Sequence, residues 1–182
     1  MKKLIIVIGL PGSGKDTQIQ LLAESFEDIN VIEAGDLIRK KSQTDPDIKE
    51  TLMKGDLVDN HKVNNLISEE LSKSKDGSTI ISDGFPRRLA QAKWLDEYVN
   101  NNGIEIIKYI LLKISDDESI KRLLKRGRAD DKEEIIKNRI KIFHEETEEV
   151  IDFYKQKGLL SVVNGMGEIT EINSRMKRAL NW

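Results

Sequence analysis

The sequence predicts an α/β domain built on a five-stranded parallel sheet with helices on both faces, and three observations predict it. Short β-prone apolar runs alternate with segments whose apolar residues recur at helical spacing, the alternation expected of a doubly covered parallel sheet. The first run, Leu4 to Ile8, passes straight into a glycine-rich turn, Gly9 to Lys15, that opens a helix. Lys15, Asp36, Asp83 and Gly165 to Gly167 each fall just past the carboxyl end of an expected strand, where such sheets bind their ligands.

The elements follow in order. After the glycine-rich turn, Ile19, Leu22, Ala23 and Phe26 mark one face of a first helix. Residues 29 to 33 read as a second strand, and Leu37 to Lys41 start helical until Asp45-Pro46 breaks the run. A short helix over 46 to 54 stops near Gly55, and Val63, Leu66, Ile67 and Leu71 form the stripe of another. These polar-rich helices stand between core strands and read as a flap over a site. Ser78 to Ser82 is a buried strand ending at Asp83, followed by a helix with Leu89, Ala92, Leu95 and Val99 inward. Residues 104 to 114 hold the fourth strand. Ser115 or Asp116 then caps a helix whose face is Ile120, Leu123 and Leu124. From Asp131 one long helix is expected, with Ile136, Ile140, Phe143, Val150, Ile151 and Tyr154 on one side and Gly158 at its end. Residues 159 to 163 are the fifth strand, and the last helix turns Ile169, Ile172, Met176 and Leu180 inward.

The 182 residues suit a single domain. With 30 basic against 32 acidic residues the net charge is −2, so no global positive field recruits nucleic acid or an anionic membrane, and any anion site is local. No cysteine is present, which excludes disulfides, thiolate catalysis and Cys-type zinc sites, while His61 and His144 are too few for a histidine metal site. Met1-Lys2-Lys3 before an apolar run imitates a signal peptide. The run is short and Lys15 and Asp16 interrupt it, so the expectation is a cytoplasmic protein. Polar faces and few aromatic residues point to a monomer.

The spacing of Gly9, Gly14 and Lys15 is that of a P-loop, in which backbone N–H groups converge on phosphate and the lysine reaches the outer phosphates. The strict motif has Ser or Thr directly after the lysine. Here Asp16 intervenes, and Thr17 carries the hydroxyl that would help hold Mg²⁺.

Five stretches together resemble the nucleoside monophosphate kinase family, its short-lid adenylate kinase branch most closely. They are Gly-Leu-Pro-Gly-Ser-Gly-Lys-Asp-Thr-Gln (9 to 18), Ala-Gly-Asp-Leu-Ile-Arg (34 to 39), Gly-Asp-Leu-Val (55 to 58), Asp-Gly-Phe-Pro-Arg (83 to 87) and Gly-Arg-Ala-Asp-Asp (127 to 131). The resemblance covers nearly the whole chain and implies a P-loop kinase fold with a helical insertion for the monophosphate over 35 to 73 and a minimal lid over 126 to 130. It implies reversible, Mg²⁺-dependent transfer of the ATP γ-phosphoryl group to a nucleoside monophosphate, AMP first. By the same likeness Gly12, Ser13, Gly14, Lys15, Asp16, Thr17, Arg126 and Gly167 bind ATP. The acceptor is held by Ala34, Arg39, Asp56, Leu57, Val58, Gly84, Phe85, Pro86, Arg87, Gln91, Arg128 and Arg139. Lys15, Arg87, Arg126, Arg128 and Arg139 are the catalytic set, and Thr17, Asp36 and Asp83 hold Mg²⁺ through its waters, with no zinc.

The inventory agrees with that chemistry. An acceptor phosphate is already ionised, so transfer needs alignment and charge neutralisation rather than a general base, and planar guanidinium forks suit phosphate. The departures bear on the base. Ala34 replaces a threonine common in adenylate kinases and matches pyrimidine monophosphate kinases, whereas Gln91 suits adenine. Asp59-Asn60-His61 stands where Pro-Asp-Glu is usual, and Asp16 replaces a glycine and is expected to point outward. The alternatives are a UMP/CMP kinase of the same family, or a nucleotide-binding protein without transfer.

Overall fold

The computed structural model describes residues 1–128 and 131–182. Residues 129 and 130, within the expected lid at 126 to 130, lie outside the described residues. Among the described residues five strands form one parallel sheet: β1 (Lys2–Ile8), β2 (Ile29–Glu33), β3 (Thr79–Asp83), β4 (Ile104–Lys113) and β5 (Leu160–Asn164), in the spatial order β2-β3-β1-β4-β5. β1 is central, with β3 and β4 on its two sides.

Strand alternation distributes β1 between two cores. Leu4, Ile6 and Ile8 point to one face and pack with α4 (Asn60–Lys73), α5 (Leu89–Asn101) and α8 (Glu148–Gln156) through Ile67, Leu95 and Tyr154. Ile5 and Val7 point to the other, where α1 (Lys15–Ser25) and α9 (Ile169–Leu180) supply Ile19, Leu22, Ile172 and Met176. The five apolar residues of β1 are 0–1% exposed, and each such side chain contributes about 1.5–3 kcal/mol by leaving water. This rigid strand ends at the glycine-rich turn, so the turn is anchored from below.

The stretch expected as a flap folds into α2 (Ala34–Ser42), α3 (Pro46–Lys54) and α4. Asp45 caps α3 by accepting from the Asp47 and Ile48 amides, with Pro46 at the first helical position. Ser115 is the residue that caps α6 (Asp116–Arg126), accepting from the Glu118 amide at 3.3 Å.

The expected long helix is not continuous. α7 (Glu133–Ile142) and α8 are joined by a π-helical turn over Phe143–Thr147, in which the Glu148 amide donates to Phe143 O five residues back. The extra residue turns Thr147 inward, 1% exposed, and leaves His144 outside. Two expected core residues also face solvent. Leu124 is 50% exposed because the stripe of α6 against Ile136 runs through Ile120 and Leu123, and Ile169 is 54% exposed at the open first turn of α9.

Candidate functional site

The glycine-rich turn lies at the carboxyl end of β1. Gly14 caps α1 with φ +91°, a backbone conformation that a side chain would strain, and Gly12 has φ +76°. The turn is closed by the Ser13 amide donating to Leu10 O at 3.0 Å, while the buried Ser13 hydroxyl has no partner among the described residues. Lys15 is buried at the start of α1, and Asp16 and Thr17 are exposed in its first turn. Burial pulls the Lys15 ammonium below its ordinary value, opposed by Asp83 and Asp16 beside it.

Asp83, at the end of β3, is 7% exposed and its carboxyl is pushed up to about 6, by burial first, against the pull of Lys15 and with the Asp16 carboxyl reinforcing the rise. Asp16 therefore does not point away as expected. It engages Asp83 because both carboxyls gather around the same ammonium. Burial raises Asp16, but Lys15, its own backbone amide, Arg128 and Arg126 outweigh that and hold it below its ordinary value. Glu33 and Asp36 extend this acidic edge, since Asp36, Asp83 and Asp16 all add to the effect of burial in raising Glu33. The donor set is all oxygen, with the Thr17 hydroxyl nearby in sequence. Such a set suits a hard divalent cation that keeps its waters. Among the described residues no group of three or more His, Cys, Asp and Glu side chains is placed to hold a metal ion directly.

Beside the turn opens a cavity of about 490 Å³ lined by Ala34, Arg39, Asp56, Leu57, Val58, Gly84, Phe85, Arg87, Gln91 and Arg139, among others. Pro86, joined to Phe85 by a cis peptide bond, is buried next to the lining, and Arg128 stands outside it. Arg87 is held from three sides. Its Nε donates to Gly84 O at 2.7 Å, its amide donates to Gln91 Oε1 at 2.9 Å, and its carbonyl accepts from Thr147 Oγ1 at 3.0 Å. Burial, with Arg139 adding to it, lowers its pKa to about 10, so it stays charged at neutral pH. Arg39 donates to Asp36 in an ion pair on the exposed edge of α2, so these two expected site residues occupy each other. Burial raises Asp36, but hydrogen bonds with Arg39 and Glu33 leave it below its ordinary value.

The remaining arginines converge on one acid. Asp131, whose side chain is fully buried, takes two hydrogen bonds from Arg126, at 2.8 and 2.7 Å, and one from the Arg128 amide at 3.0 Å. Arg139 Nη1 stands 3.9 Å from the same carboxylate. On the far side, Gly167 has φ +108°, and a side chain there would meet Glu171 at 2.7 Å. Its loop is tied down by Arg175 to Met166 O at 2.6 Å and by Gln18 Nε2 to Ile169 O at 2.9 Å.

A family model described as adenylate kinase matches residues 7–159. The chain is 36% identical to an adenylate kinase of Prochlorococcus marinus over 185 residues, covering 100% of both chains. It is 34% identical to one of Parabacteroides distasonis over 97% of each chain, and 33% identical to one of Thermus thermophilus over 97% of this chain and 96% of that one. The chain belongs to the adenylate kinase family.

As a member of the adenylate kinase family it is a nucleoside monophosphate kinase, a phosphotransferase that moves a phosphoryl group from ATP to a nucleoside monophosphate. Arg87 and Arg139 stand close enough to disfavour charge on Lys15, and Arg139 on Arg87, an arrangement that a phosphate group between them would relieve. Three residues that shape this cleft escaped the sequence reading. Arg122 donates to Ser13 O at 3.2 Å and to Gly165 O at 3.1 Å, bridging the phosphate turn to the loop after β5. Its place one helical turn before Arg126 was a usable signal. Asp131 sat inside a quoted motif with no role given to it. Thr147 reaches Arg87 only because of the π-helical turn, for which the apolar pattern gives no sign. Among the described residues no helix is long and apolar enough to cross a membrane.

Proposed function

We propose that the acceptor is AMP, so that the reaction is ATP + AMP = 2 ADP, with ATP phosphates on Gly12, Ser13, Gly14, Lys15 and Thr17 and its base near Gly167. The observation that carries the choice of acceptor is Gln91. Its buried side chain lines the 490 Å³ cavity, and the paired donor and acceptor of an amide match an adenine edge. The name printed for the relatives, adenylate kinase, supports the same acceptor. Arg39, Arg87, Arg128 and Arg139 would hold the acceptor phosphate and, with Lys15 and Arg126, neutralise the transferring group. Thr17, Asp36 and Asp83 would hold Mg²⁺ through water. The ion supplies charge neutralisation on the ATP phosphates when bound.

One observation favours CMP or UMP instead. Ala34, 3% exposed, lines the cavity where threonine is common in relatives that take AMP. ADP formation with Mg-ATP and each of AMP, CMP, UMP, GMP and dCMP decides between them. AMP is expected to give the highest kcat/KM. A preference for CMP or UMP would transfer the base contact to Ala34 and residues 59 to 61, and ATP binding with every acceptor inert would leave a nucleotide-binding protein.

A further inference from the structure

One short loop, residues 55 to 58, supplies consecutive residues to the wall of the 490 Å³ cavity, and the chain holds it at both ends. Asn138 of α7 directs its Nδ2 to Lys54 O and to Asp56 Oδ1, both at 2.9 Å. A carbonyl and a carboxylate can only accept, so both amide protons are committed and the amide has one sense. At the other end Arg88, the residue before α5, donates from Nη1 to Val58 O at 3.2 Å and from Nη2 to Leu57 O at 3.5 Å. Glu146 of the π-helical turn stands 3.4 Å from Arg88 Nε and steadies the guanidinium from behind. Gly55 lies so close to α7 that a side chain there would meet Ile135 at 2.9 Å.

Neither Arg88 nor Asn138 lines the cavity, but each is the chain neighbour of an arginine that does, Arg87 and Arg139. The same two backbone segments thus carry the cationic groups of the cavity and the donors that fix its loop. Resting on the reading that this cavity takes the acceptor monophosphate, we propose that Arg88 and Asn138 are positioning residues for the acceptor. They set loop 55 to 58 at a fixed place relative to Arg87 and Arg139, and so set how tightly the nucleoside part is held once those arginines grip the phosphate. Loss of either donor frees the loop while both arginines remain. Binding of the acceptor should then weaken, with no loss of rate once the site is filled.

The test is steady-state kinetics of Asn138→Ala and Arg88→Met with the acceptor that the parent prefers, AMP on the reading above. Alanine raises helix propensity within α7 and methionine keeps the apolar stem of Arg88, so both variants are expected to fold. In each, the KM for the acceptor is expected to rise about three- to tenfold, the scale of one hydrogen bond, with kcat and the KM for ATP within about twofold of the parent. An acceptor KM within about twofold of the parent in either variant overturns the proposal. So does a rise in both KM values together with a lower Tm, which would make these residues props of the fold rather than of the acceptor loop. A parent that prefers CMP or UMP removes the AMP reading and leaves this test standing, run with that acceptor. A parent inert with every monophosphate removes the acceptor reading of the cavity, and this proposal with it.

Discussion

The charge of Arg87 is costly to keep where it is, half-buried and beside Arg139, and the chain uses three hydrogen bonds to hold the residue there. Such an arrangement is sensible only if an anion arrives to repay it. Arg87→Ala should therefore lower kcat by about 10²–10³, the scale of a preorganised charge-stabilising donor. A variant within threefold of the parent would falsify its role. Asp131 makes a different kind of prediction, because it touches arginines rather than substrate. Its buried carboxylate orients Arg126 by two hydrogen bonds and caps the Arg128 amide. Asp131→Asn keeps the shape but removes the charge, and should cost about 1–3 kcal/mol of stability, read from urea midpoints. It should also lower kcat/KM about tenfold through misplaced guanidinium groups. Unchanged kinetics with reduced stability would leave Asp131 a purely structural residue.

Elements were legible in the sequence where local chemistry dictated them and illegible where tertiary packing did. β1 and its glycine turn announce themselves, since an apolar run followed by glycines at fixed offsets has few other uses. The Asp45-Pro46 start of α3 is equally local. The break between α7 and α8 is not, because Phe143, Val150 and Tyr154 keep a helical spacing across it and only the inward turn of Thr147 requires the added residue. The surroundings of Asp16 are no more local: its neighbour Asp83 is distant in sequence and close only once β3 lies beside β1. The π-helical turn also presents His144 between Glu148, at 2.6 Å, and Asp116 of α6, at 3.0 Å. The hydrogen bond with Glu148, opposed by burial and helped by Asp116, raises the His144 pKa above its ordinary 6.5. A raised value means that the contribution to stability is complete below about pH 6.5 and is lost as pH climbs through the folded-state pKa. The stability difference between the parent and His144→Gln should thus be larger at pH 5.5 than at pH 8.5. Because the imidazole is 42% exposed, solvent screening holds the difference to about 1 kcal/mol or less. A gap that is constant or grows with pH would show that the charged form is not the one being held.

At the scale of the whole molecule the charge is nearly balanced, −2 over 182 residues, yet its distribution is not. Arg87 and Arg139 disfavour charge on Lys15, and Arg139 disfavours it on Arg87, so the folded state carries a repulsion around one cleft that the unfolded chain does not. Polyphosphate binding would relieve it, and the relief is available only to the folded protein. ATP alone, with no acceptor and at about 100 times its Kd, should then stabilise the fold by about 2.7 kcal/mol. For a domain of this size that is a rise in Tm of about 5–10 °C. Two comparisons assign the effect to the phosphates. Adenosine at the same concentration supplies the base without the charge and should move Tm by less than about 2 °C, and 0.5 M salt should shrink the ATP shift by screening the exposed part of the cationic set. If adenosine matches ATP, or if the shift ignores salt, the base loop at Gly165 to Gly167 rather than the Lys15 and arginine cluster anchors the nucleotide, and the electrostatic account of this cleft is wrong.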